Sequence, residues 1–289
     1  MSKENILDKV KKLRELTGVG FKDCKNALEE SNGDIEKSIE FLRKKGIAKA
    51  NKKMQRVAAE GLICISEKEN KFSIIEVNSE TDFVAKNNEF IKFVEEISKL
   101  SLLNSGKMEA ILTSKMDNKK NVKDNLVDLI SKIGEKITIR RCDYIGEAEY
   151  LNFSYVHSSF KKNVGKIGVL VSLKSVKTKN EIAELGKQLS MHIAASSPLS
   201  IDKDDLDKNI LEKEREIITE ELKNSGKDSK IINKIAEGKL NKFINDNTLL
   251  NQEWVIDPKK KVKQILKEID GKNTIEIKKF VRFKVGEGI

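Results

Sequence analysis

Apolar residues in the N-terminal part of the chain recur at helical spacing, in three stretches separated by glycines. Gly33 closes the second stretch, Asp34 is placed to cap the third, and Gly46 is placed to end it. We therefore predict a three-helix module over residues 1–52 and interpret the basic segment KANKKMQR, which has no apolar periodicity, as a tether. The apolar stripes of the module are Ile6, Val10, Leu13 and Thr17; Phe21, Cys24, Ala27 and Leu28; and Ile35, Ile39 and Leu42.

The pattern changes after this module. The segment GLICISEKENKFSIIEV is apolar, then polar around Asn70, then apolar again, which is typical of a β-hairpin. A helical stripe follows, and further helical sequence runs from Met108 to Ile133. The segment ITIRRCDYI then has the β-branched and aromatic content of a strand. The stripe consists of Phe90, Val94 and Ile97.

The same plan recurs farther along the chain. The segment LNFSYVHSSFKKNVGKIGVLVSLK is again strand, polar turn and strand, and NEIAELGKQLSMHIAA is again a helix, closed by Pro198. Two strand–turn–strand–helix units predict an internally duplicated α+β core with antiparallel strands.

Charged helical sequence with a break at NSGKD fills residues 205–246, which predicts an inserted antiparallel helical hairpin. One arm carries Leu206, Ile210, Ile217 and Leu222, and the other carries Ile231, Ile235 and Phe243. The C-terminal sequence predicts a helix and a strand that returns to the core. The predicted fold class is therefore α+β, with domains 1–52 (three-helix module), 53–140 (first core subdomain), 141–200 (second core subdomain), 201–248 (helical hairpin) and 249–289 (return to the second subdomain).

The turn NSETDFVAKNNEF places an acid and an aromatic residue side by side between two apolar runs. Loop tips are usually polar, so Phe83 at this corner needs an explanation. One interpretation is an ordinary core residue upstream of the helix that begins near Phe90. Asp82 has an equally plain interpretation as a helix cap. The alternative is a surface that meets a partner, and the residues alone leave both open.

Composition excludes several classes of protein. The chain has 289 residues, of which 38% are hydrophobic and 35% charged, which is typical of a charged globular protein. No apolar run reaches the ~18–20 residues that cross a bilayer, and the N-terminus resembles neither a signal nor a transit peptide. The net charge of +10 comes from 56 basic residues interleaved with 46 acidic ones, and only 5% are aromatic, so we expect no specific nucleic-acid binding. The three dispersed cysteines favour a reducing cytoplasm.

Familiar catalytic motifs are absent from the sequence. No Gly-Lys pair is followed by Ser or Thr, so there is no phosphate-binding loop, and the segment GVG lacks the rest of a dinucleotide site. His157 and His192 lie in separate segments without the spacing of a zinc site. We therefore expect no enzyme activity, no metal and no cofactor, although a carboxylate pair would leave no short motif.

Several long segments resemble the bacterial elongation factor Ts family, whose members are nucleotide exchange factors of elongation factor Tu. They are LRELTGVGFKDCKNALEESNGDIEKSIEFLRKKG, VNSETDFVAKN, KIGEKITIRR, GKIGVLVSLK, MHIAASSP and FVRFKVGEGI, in the order found in the family. The resemblance implies a ubiquitin-associated-like three-helix module, a duplicated core and an inserted hairpin. It also implies a protein that binds elongation factor Tu with GDP and promotes GDP release, without catalysis of its own.

The resemblance also implies site residues. The TDFVA segment is expected to reach into the partner's nucleotide-binding domain and dislodge its magnesium, through Thr81, Asp82, Phe83 and Val84. Further expected contacts with elongation factor Tu are Phe21, Lys25, Ile133, Gly134, His157 and Val255. Without the resemblance these six residues have plain interpretations as solvated, capping or packing residues.

The chain also departs from the family pattern, because many members continue after VGEGI with a further helix that binds the partner. We therefore expect weaker or redistributed C-terminal contacts. The number of copies in the complex is left open, with a dimer of heterodimers through the core or hairpin as one arrangement. A ubiquitin-associated-like adaptor and an RNA-binding protein are the alternative functions, and RNA binding would weaken steeply with salt.

Overall fold

The computed structural model describes residues 6–223, 229–271 and 275–289. The helices within these ranges are α1 (Ile6–Thr17), α2 (Phe21–Glu30), α3 (Ile35–Lys53), α4 (Asp82–Ala85), α5 (Asn88–Leu103), α6 (Met108–Thr113), α7 (Val122–Ile133), α8 (Ala183–Ser196), α9 (Lys208–Lys223), α10 (Ser229–Asn247) and α11 (Val262–Asp270). The strands are β1 (Glu60–Lys68), β2 (Lys71–Ser79), β3 (Ile137–Ile145), β4 (Leu151–His157), β5 (Val164–Gly165), β6 (Ile167–Lys174), β7 (Glu253–Trp254), β8 (Asp257–Lys261) and β9 (Glu276–Lys284).

Three strands of each of two antiparallel sheets share one topology, which confirms the predicted duplicated α+β core, and the first sheet has a fourth strand, β5, paired with β1. In the first sheet β1 and β2 form a hairpin, helices follow, and β3 returns to pair with β2. In the second sheet β4 and β6 form the hairpin, and β9 returns to pair with β6. Each returning strand carries a one-residue bulge. The bulge in β3 lies opposite Glu76 of β2, and the bulge in β9 lies opposite Ser172 of β6. β3 runs from Ile137 to Ile145, so this strand of the first sheet crosses the boundary predicted between the two core subdomains at residue 140.

The sheets lie face to face, and this explains why the hairpin strands are apolar on successive residues rather than on alternate ones. Side chains on a strand alternate between its two faces. Leu62 and Cys64 of β1 pack beneath α5 and α7 in a group of buried residues that we call the first outer cluster, whereas Ile63 and Ile65 pack between the sheets. Gly168 permits this close stacking, because a Cβ there would lie 2.7 Å from Ile63 Cγ2. The layers are therefore helices, sheet, sheet and helices.

The second outer cluster covers the far face of the second sheet, where α8 and α11 pack together with the buried Trp254. The predicted turn at Asn70 is confirmed as a two-residue hairpin loop, in which Glu69 has a φ of +57°. The Asn70 side chain donates to Tyr150 O at 2.6 Å, so the turn also joins the two halves of the core.

The predicted end of the third helix at Gly46 is wrong. α3 continues to Lys53, because Gly46 serves a close helix–helix approach: a Cβ there would lie 2.5 Å from Ser131 Oγ of α7. Ala50, one turn farther on, is buried in the first outer cluster. The tether interpretation is therefore also wrong up to Lys53, since this part of the segment is helical and its Ala50 packs in the core.

Within the three-helix module, three residues of the predicted stripes are more exposed than a core position would be, namely Ile6, Phe21 and Ile39. The buried residues of these stripes are Val10, Leu13, Cys24, Ala27, Leu28 and Leu42. Phe21 is exposed because it is the first residue of α2, where the chain enters from Gly20 at the surface.

In the helical hairpin, Ile217 was predicted to lie on the apolar stripe of the first arm, but it does not belong to the buried face. Ile217 is exposed, and its neighbour Ile218 is buried together with Leu222 and Ile244. The predicted break at NSGKD lies outside the described residues, as does the side chain of Ile231. Within the described ranges, none of the helices combines the length and the apolar character that crossing a bilayer would need.

Candidate functional site

The TDFVA segment forms the single-turn helix α4 between β2 and α5. Thr81 is its N-cap residue and has an extended backbone, so Asp82 is the first helical residue rather than the cap. The Thr81 N–H and hydroxyl donate to the two oxygens of Glu135, at 3.0 and 2.8 Å. Glu135 directly follows Gly134, which ends α7 with a φ of +86°. The start of α4 is thus bonded to the turn between α7 and β3.

Phe83 and Val84 are adjacent on this one turn but lie in different environments. Val84 has 6% of its surface exposed and packs with Ala85 in the first outer cluster. Phe83 is 79% exposed, which contradicts the interpretation of this residue as core. An aromatic ring held in solvent has no packing role in the isolated chain, so it is available to a partner.

Asp82 is half-exposed and pairs with Lys86 at 2.7 Å, one helical turn later. The hydrogen bond from Lys86 is the main reason why the pKa of Asp82 lies below its ordinary value, and the positive charge of Lys166 lowers that pKa further. The carboxylate is therefore ionised at neutral pH. It presents negative charge beside the exposed Phe83 ring.

Strand ends from both sheets meet near α4. β2 ends at Ser79, and β3 begins at Ile137 as its pairing partner. Lys166, between β5 and β6, donates its N–H to the carbonyl of His157 at 3.3 Å and its ammonium to Glu60 at 2.7 Å. The exposed His157 at the end of β4 is thus joined to the start of β1. We call this region the loop edge, and it holds Thr81, Asp82, Phe83, Val84, Ile133, Gly134 and His157.

The N-terminal module sits beside the same edge. A Cβ at Gly18, just before α2, would lie 2.7 Å from Lys132 Cε in the last turn of α7. The Lys53 ammonium donates to the carbonyl of Gly134. Phe21 is exposed at the start of α2, and Lys25 is exposed and lies 3.7 Å from Glu29 in an ion pair within α2.

Val255 lies apart from the loop edge, in the outer layer of the second sheet. Its N–H donates to His192 Nδ1 at 3.2 Å, and the other ring nitrogen of His192 lies 3.0 Å from Gln252 Oε1. The neutral ring therefore carries its proton on Nε2. Burial lowers the pKa of His192, the Gln252 contact opposes this less strongly, and Trp254 stacks on the ring with centroids 5.1 Å apart. Val255 itself is half-exposed.

Four residues that the sequence reasoning missed complete the loop edge, namely Glu135, Glu80, Lys136 and Arg56. The carboxylate of Glu80 accepts hydrogen bonds from the Lys136 N–H at 2.5 Å and from the Arg56 guanidinium at 3.1 Å. Their partners are 24 to 56 residues away in the chain, so no local pattern could have indicated them. Within the described ranges, no group of three or more His, Cys, Asp and Glu side chains is placed to hold a metal ion.

A family model described as Elongation factor TS matches residues 80–287, from the loop edge to just beyond the end of β9. The chain belongs to the elongation factor Ts family. It is 43% identical over 283 residues to elongation factor Ts of Methylobacterium sp. (strain 4-46), covering 97% of this chain and 92% of the relative.

Other relatives agree with this assignment. Elongation factor Ts of Maricaulis maris is 41% identical over 285 residues, covering 97% of this chain and 91% of the relative. That of Rickettsia felis is 42% identical over 283 residues, with the same two coverages. Membership of the elongation factor Ts family, predicted from the sequence segments, is thereby confirmed, and it supports a role in translation elongation.

Proposed function

We propose that this protein is a guanine-nucleotide exchange factor that binds elongation factor Tu with GDP, disturbs its magnesium and nucleotide site, and promotes GDP release in the cytoplasm. The observation that carries the proposal is the Phe83 ring, 79% exposed on a single helical turn that is anchored by Val84 beneath and by Glu135 beside it. An apolar ring exposed on an anchored turn is suited to insertion into another protein.

The thermodynamic requirement for such a factor is differential binding. It must bind the nucleotide-free partner more tightly than the GDP-bound partner, and GDP then weakens the factor's binding by the same ratio. Burying the Phe83 ring in a pocket of the nucleotide-free form would contribute about 1.5–3 kcal/mol. Because about 1.4 kcal/mol corresponds to tenfold, this one ring supplies a substantial part of the coupling.

Asp82 supplies the electrostatic part of the proposal. Its ionised carboxylate would compete for the polar groups that support magnesium in the partner, directly or through the ion's waters. No bond in GDP is made or broken in this process, so the protein acts without catalysis of its own. The exchange follows from the relative affinities of the two proteins, magnesium and nucleotide.

The remaining predicted contacts are assigned to two surfaces. Phe21, Lys25, Ile133, Gly134 and His157 would meet the partner's nucleotide domain around the loop edge. Val255 lies in the opposite outer layer of the core, beyond the second sheet, so we assign it to another domain of the partner. A dimer of two such heterodimers, through the core or the hairpin, belongs to the same proposal.

Release of fluorescent GDP from purified elongation factor Tu tests the proposal. Adding the protein with excess unlabelled GDP should accelerate release far above the spontaneous rate, at a concentration that also gives a stable complex. Calorimetry of the protein alone with GDP should show no micromolar binding, because no phosphate-binding loop exists in the sequence. If the protein bound elongation factor Tu but GDP were still released at the spontaneous rate, this result would contradict the proposal and support the adaptor function.

A further inference from the structure

The exchange loop, residues 80–84, is held by two carboxylates that no sequence motif indicated. Glu135 lies outside the loop, and Glu80 is the first residue of the loop. Glu135 accepts both donors of Thr81, at 3.0 Å from its N–H and 2.8 Å from its hydroxyl. Glu80 accepts the Lys136 N–H and two contacts from Arg56, at 3.1 and 3.3 Å. Arg56 lies just beyond α3, so these contacts join three segments distant in sequence.

The hydroxyl of Thr81 is used in an unusual way. A threonine at an N-cap normally accepts a hydrogen bond from the first turn of its own helix. Thr81 makes no such bond and donates its hydroxyl to Glu135 instead. α4 is too short to be stable by itself, because helix nucleation costs more than one turn returns. The external bonds to Glu135 therefore fix the N-cap residue itself, where a usual cap would bond to its own helix.

A second set of bonds ties the loop to the segment that leads from the three-helix module. The Lys136 ammonium donates to the carbonyls of Met54 and Arg56, both at 2.8 Å. Burial raises the pKa of Glu80, but the Lys136 N–H and the Arg56 guanidinium outweigh it and hold that pKa below its ordinary value. Glu80 is thus ionised at neutral pH and paired with Arg56.

We propose that Glu135 and Glu80 are positioning residues, which hold the exchange loop in its binding conformation and fix the direction in which Phe83 projects. This inference rests on the proposed function. Glu135 holds the loop directly, and Glu80 connects it to the linker after α3. A loop that leaves this conformation for part of the time is competent for only the remaining fraction, and its effect on the partner falls by that fraction.

Removal of Glu135 therefore has a distinctive kinetic effect. Docking through the module and through Val255 does not use the loop, so the concentration of factor that gives half-maximal GDP release should change less than about twofold in Glu135→Ala. The maximal release rate should fall at least about fivefold, because fewer docked molecules hold Phe83 in place. Glu80→Ala should give a smaller loss of the same kind.

Thr81 variants and a matched acid make the test specific. Thr81→Val loses the hydroxyl that donates to Glu135 and should resemble Glu135→Ala. The double variant Thr81→Val with Glu135→Ala should lose no more than Glu135→Ala alone, since both act through one pair. Glu268→Ala is the control, because it removes an exposed carboxylate 2.6 Å from Lys260 in another part of the molecule.

Hydrogen exchange of the backbone amides in residues 79–86 provides a readout independent of activity. Protection in this segment should fall in Glu135→Ala and Thr81→Val while protection in β1 and β6 stays unchanged. A wild-type maximal rate in Glu135→Ala, or a parallel loss of protection throughout the core, would overturn the inference. If the wild-type protein does not accelerate GDP release, the proposed function fails, and unchanged protection of residues 79–86 in the variants would still refute the positioning role.

Discussion

Phe83 and Val84 are adjacent on the single turn of α4, yet Val84 is buried in the first outer cluster and Phe83 is 79% exposed. The buried neighbour anchors the turn and the exposed ring stands away from it. Substitutions at the two positions should therefore differ in kind. Val84→Ala should cost folding stability by about 1–3 kcal/mol, as for other buried aliphatic side chains, whereas Phe83→Ala should leave stability within about 0.5 kcal/mol of wild type.

The close approach of α3 and α7 predicts the effect of a side chain at Gly46. Gly46→Val should destabilise the protein by about 1–3 kcal/mol in denaturant unfolding, because its Cβ would lie 2.5 Å from Ser131 Oγ. Gly238→Ala is the matched control in α10, where a Cβ meets nothing within 4 Å. That variant should be more stable by about 0.5–1 kcal/mol, since alanine favours helix. Equal stability of Gly46→Val and wild type would show that the two helices do not need this contact.

Glu76 predicts a pH dependence of stability. Its carboxylate is fully buried, and it accepts hydrogen bonds from Arg141 at 2.6 Å and from the Gly286 N–H at 2.9 Å. Burial raises the pKa of Glu76, but these donors and Asn78 outweigh it and bring that pKa below its ordinary value of 4.5. A lowered carboxyl pKa stabilises the fold above the unfolded pKa, and this contribution is lost as the pH falls through the folded pKa.

We therefore expect Glu76→Gln to lower the free energy of unfolding by about 3 kcal/mol at neutral pH. The difference from wild type should shrink as the pH falls below about 4.5, the range in which wild-type Glu76 takes up its proton. Denaturant unfolding at several pH values measures it. The control Glu268→Gln should change stability by less than about 0.5 kcal/mol. A difference that stays constant from neutral to acid pH would contradict the charged network.

Asp82 should act through magnesium. Asp82→Ala should slow stimulated GDP release in millimolar magnesium and should matter much less after a chelator has removed the ion. Lys86→Met separates this role from the ion pair, because it removes the partner 2.7 Å away and keeps the carboxylate. Equal losses in both variants, with or without chelator, would assign Asp82 to holding the turn instead.

The sequence predicted most elements but not their assembly. The Asn70 turn, both hairpins, the duplicated plan and the final strand follow from apolar periodicity and turn residues, which are local signals. The face-to-face stacking of the sheets does not follow, although LICI in β1 is apolar on both faces because of it. Gly46 was interpreted as a helix end, because a glycine that permits close packing has the same local pattern as one that stops a helix.

The loop edge shows the same division between local and distant information. The resemblance to the elongation factor Ts family indicated Thr81, Asp82, Phe83 and Val84, and their roles remain predictions. Nothing in the order of residues indicated that Glu135 would bond Thr81 across 54 positions. Exposure of Phe83 also needed the three-dimensional structure, because the spacing to the next helix is compatible with a core residue.

The most direct test of the account is the rate of fluorescent GDP release from elongation factor Tu at saturating concentrations of wild type, Phe83→Ala and Leu103→Ala. Leu103 is a matched control, because it is 74% exposed and ends α5, about 24 Å along the helix from the end near α4. We predict that Phe83→Ala slows stimulated release at least about tenfold with unchanged thermal unfolding, a loss of about 1.4 kcal/mol, while Leu103→Ala matches wild type. A Phe83→Ala protein that releases GDP at the wild-type rate, or that loses activity only because it unfolds early, would contradict the assignment of Phe83 as the exchange residue.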